Sequence, residues 1–586
     1  VSIAFRRIDA VSIASHVYQT RQAVRNSTTQ PFKTIHSTRF VVTCAALLFA
    51  ALLCGVLVLR PFQNSPDIRS DGVGYHAWAH AIAHGDFTFC KYKNLLQPVT
   101  ALSGESTDGL RCKNKYPPGV GLLQLAFSWP VLAEDPVKTG FSVGENRVVF
   151  WGGAVLLFAT VALIWSVLTR RGIASFPALA AIAAFVFGTG LFHYSTYDAS
   201  FSHVYSAFGL SLSLWLVCGR QRLSLRRLVM FSLVAAWLYS VRQTNVALSL
   251  AVVYMFVREA DGPDRWRLPV AWLAGTGVAA TVLLAYGRYV TGEATFSSYG
   301  SEGFPTFAGH SLDVLVSYER GLFNYYPVFL LGVAFALFHW RKATSQAFLA
   351  LVAIFALLYG SWHAWHLGAG FGHRGFVELA PLGMIVMANA LQAMSSSARR
   401  RWMIVIGMCC LMTTAAMSAY WRGDLPFHGA SALQYWRSIS PIKPWFLKDP
   451  RYSKQEIRLI HLSFEGARQR DDGHWEVRLH IANGNARTPL RGPAGPYPAL
   501  RLSWRVVDRG ADVHEGWDTR LDLPVIGAGQ SEAVTIGVPD PDTPDADRQL
   551  QFSIAQEGYF WSHDVGVPPL AIGWNQRQVA TLNKME

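Results

Sequence analysis

Long apolar runs separated by short basic clusters constrain this chain more than any other feature. They fall near residues 40–59, 147–168, 174–192, 200–218, 228–241, 245–257, 269–289, 323–340, 346–361, 376–394 and 402–420, about eleven in all. Backbone amides inside hydrocarbon must bond within their own segment, so such runs read as membrane helices. Half of the residues are hydrophobic (51%), as in a polytopic membrane protein with a soluble appendage. Charge is uneven. Before Arg422 there are 33 Lys and Arg against 18 Asp and Glu, and from Arg422 onward 19 against 20. The excess sits in Arg170/Arg171, Arg220 to Arg227, Arg258 to Arg267, Arg341/Lys342 and Arg399 to Arg401. Cytoplasmic loops account for it under the positive-inside rule, and nucleic acid is not needed to explain it. No P-loop or dinucleotide fingerprint occurs.

Organisation follows from that rule. Residues 1–39 form a basic cytoplasmic segment, and 40–59 is too long for a signal-peptide core, so it reads as an uncleaved first span. Val120 to Leu132 is apolar, but counting it as a span would turn Arg170/Arg171 outward. It is expected as a juxtamembrane or re-entrant helix after the Pro117-Pro118-Gly119 corner. An odd number of spans leaves everything after Tyr420 outside. The expected domains are a transmembrane domain at 40–421 with a first external loop at 61–146, a linker at 422–454, and an extracytoplasmic β-sandwich with its tail at 455–586. Glu456 to Phe464, Trp475 to Ile481, Leu500 to Val507, Ala533 to Val538 and Leu550 to Ala555 alternate apolar and polar residues, as strands do. Asp540 to Asp547 lacks the glycine and distal glutamate of an EF-hand and reads as a solvated turn.

The first loop opens with Asp67 and Asp71 and predicts a helix just after them. Tyr75, Trp78, Ala79 and Ile82 recur at helical spacing, predicting a face lying in the interface, with His76, His80 and His84 opposite. Asp71 reads either as an N-cap or as a base, and the two are compatible because a helix N-terminus favours negative charge. Cys90 and Cys112 are the two cysteines in a polar loop, and an oxidising compartment would let them pair. Other polar residues gather at the expected outer ends of spans. Arg242 marks the tip of a tight hairpin, suited to a lipid phosphate or to snorkelling toward headgroups. Lys113 and Lys115 meet an anion or water. Asp198 and His203 orient a ligand or cap helices. Glu319 and Arg320 suit a local ion pair or, for Arg320, a phosphate. His363 and His366 have a chelating spacing but no third ligand placed by sequence, which favours packing. His373 and Arg374 follow a glycine-rich loop that lets backbone approach a ligand.

An acidic residue shortly after the first span, a helix ending in Gly85-Asp86-Phe87, and then Lys113-Asn114-Lys115-Tyr116-Pro117-Pro118-Gly119 resemble the first external loop of GT-C glycosyltransferases. That class uses polyprenyl-phosphate sugars and includes protein O-mannosyltransferases and lipid A aminoarabinose transferases. The likeness covers roughly residues 40–420. The segments LRLSWRVVDRGADVHEGWDTRLDLP and AQEGYFWSHDVGVPPL resemble an immunoglobulin-like module found beside bacterial glycan enzymes. The resemblance implies an inverting transferase in a bacterial inner membrane, N-terminus cytoplasmic and C-terminal domain periplasmic. Asp71 would be the catalytic base, with Asp67 as its rival. Lys115, Lys113, Arg242, Arg374 and Arg320 would hold the donor phosphate, and Tyr75, Asp198, His203 and His373 would orient substrates. Its partners would be the lipid-linked donor, membrane lipids and a glycan, lipid or protein acceptor; no cofactor is expected, and a divalent metal is possible but not predicted. A transporter or flippase of lipid-linked glycans is the alternative. A noncatalytic anchor presenting the β domain is a third reading, which leaves the large membrane half unexplained.

Overall fold

The computed structural model describes residues 67–97, 99–134, 136–218, 223–260, 263–292, 294, 299, 302–422, 424–426, 430–439, 452–470, 474–490, 500–508, 517, 519–538, 548–556 and 560–575. The expected basic segment 1–39, the first span at 40–59 and the Asp540 to Asp547 turn lie outside these residues.

Twelve of the longer helices carry the membrane half: α1 (Asp71–His84), α2 (Gly119–Ser128), α3 (Val143–Arg170), α4 (Ser175–Phe187), α5 (Ser202–Val217), α6 (Leu225–Val241), α7 (Val246–Glu259), α8 (Arg267–Thr291), α9 (Pro327–Phe338), α10 (Ala343–Ser361), α11 (Ala380–Ala393) and α12 (Ser396–Trp421). Each apolar run from 147 onward falls on one of α3 to α12. Five stretches, Val143–Arg170, Arg267–Thr291, Ala343–Ser361, Arg374–Ala393 and Ser396–Trp421, are long and apolar enough to cross a membrane. Local signals set the ends. Ser142 and Glu145 form a reciprocal capping box at the start of α3, and the Ser395 side chain caps α12. The basic helix ends meet at one pole, where Arg171, Arg258, Arg341 and Lys342 line a shared hollow. Helix α6 runs from Arg226 and Arg227 to Arg242, so Arg242 stands at the opposite end of that helix.

Two expectations for the first loop need correction. Helix α1 does not lie with one face in an interface: Tyr75, Trp78 and Ala79 are buried, and so are His76 and His80 on the other side. The histidines can be enclosed because polar partners meet them. Asp71 is the first helical residue and not the N-cap, a position held by Ser70 at φ 47°. Helix α2 has ten residues, about 15 Å of rise, and ends in a 3-10 turn at Trp129–Val131. It is therefore too short to span, and it packs on α1, α3 and α6. A Cβ on Gly119 would lie 2.4–2.6 Å from the backbone of Ser240 and Val241, and one on Gly121 would lie 2.5 Å from the Tyr75 carbonyl. These two glycines let α2 press against both α1 and the end of α6 that carries Arg242.

A two-stranded hairpin of β1 (Leu102–Glu105) and β2 (Cys112–Asn114) completes the loop, and a disulfide joins Cys90 to Cys112. Closing that loop restricts the unfolded chain.

The C-terminal region is built of antiparallel sheets. One pairs β3 (Ile460–Gln469), β4 (Trp475–Asn483) and β7 (Ser531–Val538) in the order β3-β4-β7. The other runs β10 (Leu570–Gly573), β8 (Arg548–Gln556), β5 (Leu500–Asp508) and β6 (Leu521–Asp522), with the short β9 (Phe560–Trp561) on β8. Alternating burial along β4 brings Val477, Leu479 and Ile481 into a core shared with Leu500, Leu502, Phe552 and Ile554 of the second sheet. The first expected strand starts late. Residues Lys454–Arg458 form a helical turn whose capping box joins Ser453 and Glu456, a sequence signal that outweighs the weak alternation there.

Replacing Leu479 with alanine should leave a cavity and destabilise the C-terminal region by roughly 2–5 kcal/mol, read as a lower unfolding midpoint for the sheet signal. Gly119→Ala should lower stability by about 1–3 kcal/mol through backbone overlap at α6, read as a fall in the thermal midpoint of the detergent-solubilised chain.

Candidate functional site

Three cations, each paired with a carboxylate, gather around the N-terminus of α1. Arg374 Nη2 lies 2.9 Å from Asp71 Oδ2, joining the last loop to the first. Arg242 Nη1 lies 2.7 Å from Glu378 Oε1, and His203 Nδ1 donates to the same oxygen at 3.1 Å. Lys115 Nζ reaches Glu302 Oε1 at 2.6 Å, while His363 Nε2 lies 3.5 Å from the other oxygen. Aromatic rings bind these pairs into one cluster. Lys115 stands 5.2 Å from the centre of Tyr299 and 5.8 Å from that of Tyr116, and Tyr116 meets Tyr75 with ring centres 4.6 Å apart. Arg374 lies over Phe201 at 5.2 Å. Arg242 is in electrostatic reach of Tyr75, Tyr299 and Tyr359, and Tyr116 is in reach of Asp71 and Arg374.

Small residues and hydrogen bonds bring the first loop this close. Asn114 Nδ2 donates to the Gly74 carbonyl at 2.8 Å, and Trp78 Nε1 donates to the Tyr116 carbonyl at 2.7 Å. A Cβ on Gly74 would strike the Tyr116 ring, and one on Gly72 would strike Ser200. At the far side, Arg242 ends α6, and a 3-10 turn at Gln243–Asn245 leads straight into α7, the tight tip its sequence predicts. Tyr194 holds the last loop by exchanging bonds with Phe371, accepting from its amide at 3.0 Å and donating to its carbonyl at 3.1 Å.

The two rival carboxylates differ in access. Asp67 is 3% exposed, whereas the Asp71 side chain keeps 23% of its surface. Arg374 carries a second, buried nitrogen, Nη1, with no acceptor among the described residues. A guanidinium with one edge engaged and a donor left over is suited to taking an anion. Lys113 lines a separate small hollow with Trp78, Tyr239, Gln243 and Tyr286.

Other sequence-predicted residues sit elsewhere, for reasons of pairing. Asp198 is engaged by Arg69 at 2.6 Å and by His193 at 2.7 Å, which leaves it inside a structural cluster and not facing a ligand. Trp421 Nε1 donates to His193 Nδ1 at 2.9 Å, which fixes the tautomer that donates from Nε2 to Asp198. Burial alone would raise the Asp198 carboxyl, but Arg69 and His193 hold it well below the usual carboxylate range. His203 is likewise turned onto Glu378. His373 donates to the Trp365 carbonyl at 3.0 Å, and burial, only partly opposed by that bond, pushes it down to about 3, so it is neutral. Arg320 is 1% exposed; its Nη1 donates to the backbone carbonyl of Glu319, and its buried Nε and Nη2 have no acceptor among the described residues. His366 Nδ1 accepts from the Gly368 amide and does not converge with His363.

Glu378 was missed, although an acidic residue inside an otherwise apolar run is itself a signal, because such a charge needs a partner. Tyr299 had no periodic signal, and Glu302 lies in an irregular stretch. No known protein family matches the chain, and no curated protein and no solved structure is significantly similar to it.

The Asp198 cluster yields a pH dependence with a definite sign. Its depressed carboxyl adds stability above the ordinary value of about 4, and that stability is lost as pH falls toward the folded value. Asp198→Asn should lower the thermal midpoint at neutral pH, because the partly buried Arg69 loses its counter-charge. The gap between variant and parent should narrow as pH drops below about 4. A gap independent of pH would show that packing, not charge, stabilises the cluster.

Proposed function

We propose that this chain is a membrane glycosyltransferase of the GT-C type, moving a sugar from a polyprenyl-phosphate donor to an acceptor hydroxyl outside the bilayer. The observation that carries the reading is the convergence of Asp71 with Arg374, Arg242 and Lys115, drawn from the first loop, the α6–α7 tip and the last loop. They stand at the opposite end of α6 from its basic cluster, as an outer-leaflet site requires.

In the proposed reaction, the acceptor oxygen attacks the anomeric carbon from the side opposite the phosphate while Asp71 takes its proton. The bond between that carbon and the phosphate oxygen breaks, and the leaving polyprenyl phosphate keeps the electron pair. Attack from the far side inverts the configuration at carbon, and the growing charge on the leaving phosphate falls to Arg374, Arg242 and Lys115. The partly open Asp71 carboxylate and the leftover Arg374 donor support these roles. Apolar grooves between helices would take the polyprenyl tail, adding binding energy remote from the reacting atoms. In this reading the chain has about eleven spans, a cytoplasmic N-terminus in a bacterial inner membrane, and a periplasmic β-sandwich of immunoglobulin type. The core shared by the two C-terminal sheets supports the last point.

The test is mass spectrometry of cell-envelope glycans and glycolipids from cells lacking the gene and complemented with variants. Parent and Asp67→Asn should restore one sugar-bearing product, and Asp71→Asn should reduce its rate of formation by about 10²–10⁴-fold. Normal product formation by Asp71→Asn would exclude it as the base. Donor translocation without transfer would favour a flippase.

A further inference from the structure

Behind the Asp71 cluster, α1 turns two histidines onto the start of α3. His76 and His80 are one helical turn apart, and their Nε2 atoms point at the same oxygen, Glu145 Oε1, at 3.0 and 2.5 Å. All three residues are fully buried, and one ligand atom from each lies within 4.8 Å of the others. Phe141 closes the space, edge-on to His76 with ring centres 5.0 Å apart and 5.7 Å from His80.

The surroundings hold Glu145 and His76 in a ligating posture, while the buried Nδ1 of His80 has no partner among the described residues. Glu145 Oε2 accepts from the amides of Ser142 at 2.6 Å and Ala133 at 3.1 Å, so only Oε1 is turned inward. His76 Nδ1 is 2.9 Å from Gln124 Oε1, and Gln124 Nε2 donates to the Tyr205 hydroxyl at 3.0 Å. With that amide orientation Nδ1 carries the proton, and in the neutral ring Nε2 presents a lone pair to a carboxylate oxygen, another acceptor. Two neutral imidazoles would also leave the buried carboxylate with backbone amides on Oε2 but no cation beside Oε1. A cation among the three atoms removes both conflicts, and the Gln124 bond to the outer ring nitrogen is the usual support for a metal-bound histidine.

We propose that His76, His80 and Glu145 bind a divalent first-row metal of the zinc class, with water in the fourth position. Two imidazoles with one carboxylate oxygen suit zinc and not calcium or magnesium, which take oxygen ligands. Zinc bonds of about 2.0–2.2 Å set tetrahedral ligand atoms roughly 3.3–3.5 Å apart. His76 and Glu145 are near that spacing, and His80 has to withdraw by less than about 1 Å. The ion would pin α1, which begins with Asp71, to the N-terminus of α3, and it takes no part in the chemistry proposed above.

The test uses the full chain in detergent, without an affinity tag and with free thiols blocked. Metal is removed, zinc or cobalt(II) alone is titrated back, and metal content is measured by mass spectrometry. About one ion per chain is expected at micromolar free zinc, with cobalt giving the intense visible bands of a four-coordinate site. His80→Gln and Glu145→Gln should weaken binding at least about 10-fold, and the exposed His461→Ala should not. Zinc should also raise the thermal midpoint of the parent chain by mass action. A parent chain that takes up no zinc, or whose cobalt complex shows only the weak bands of a six-coordinate surface ion, overturns the proposal whatever the variants do. So does equal zinc uptake by His80→Gln and the parent.

Discussion

A charge withdrawn from water has to be met by an opposite charge or by hydrogen bonds, and the membrane half of this protein is arranged around that requirement. The pair of Asp71 with Arg374 expresses it most directly, because it ties the beginning of the described chain to the last loop before α11. Arg242 with Glu378, Lys115 with Glu302, and Arg69 with Asp198 repeat the device. Each partner comes from a distant part of the chain, so the pairs fix how the loops are assembled at this end of the helices. At the opposite pole Arg171, Arg258, Arg341 and Lys342 share a hollow in which Glu259 pairs with Arg171 at 3.2 Å.

Close packing makes such pairing geometrically available. Gly119 and Gly121 let α2 approach the end of α6 and α1, and Gly72 and Gly74 let α1 approach Ser200 and Tyr116, at distances that side chains would prevent. The disulfide between Cys90 and Cys112 closes residues 90–112, the segment that leads directly into Lys113 and Lys115. The result is a loop packed with buried aromatic residues. That rigidity is what a site needs if its charged groups are to be oriented before a ligand arrives.

The same enclosure explains why α1 differs from an interfacial helix. Its aromatic face packs against Tyr116 and Phe89, while its histidine face meets Glu145 at the capped start of α3. A helix buried on both sides has no strong amphipathic stripe, and its histidines are tolerable only because a carboxylate is delivered to them.

Much of this organisation was legible from residue order alone. Apolar runs marked where helices α3 to α12 form, because hydrocarbon and protein interiors both demand internally bonded backbone. Alternation marked β4, β5, β7 and β8, and the Pro117-Pro118-Gly119 corner marked α2. The tight tip at Arg242 and the two loop cysteines were visible in the same way. Pairing was not. That Glu378 would take Arg242 and His203, that Asp198 would be held by Arg69, and that Glu145 would join His76 with His80 all depend on contacts spanning roughly 65 to 175 residues. Periodicity reports which face of an element is apolar, over a few turns at most. Which charge meets which is decided only when the helices have packed, because electrostatic partners are chosen by distance in space and not by spacing along the chain.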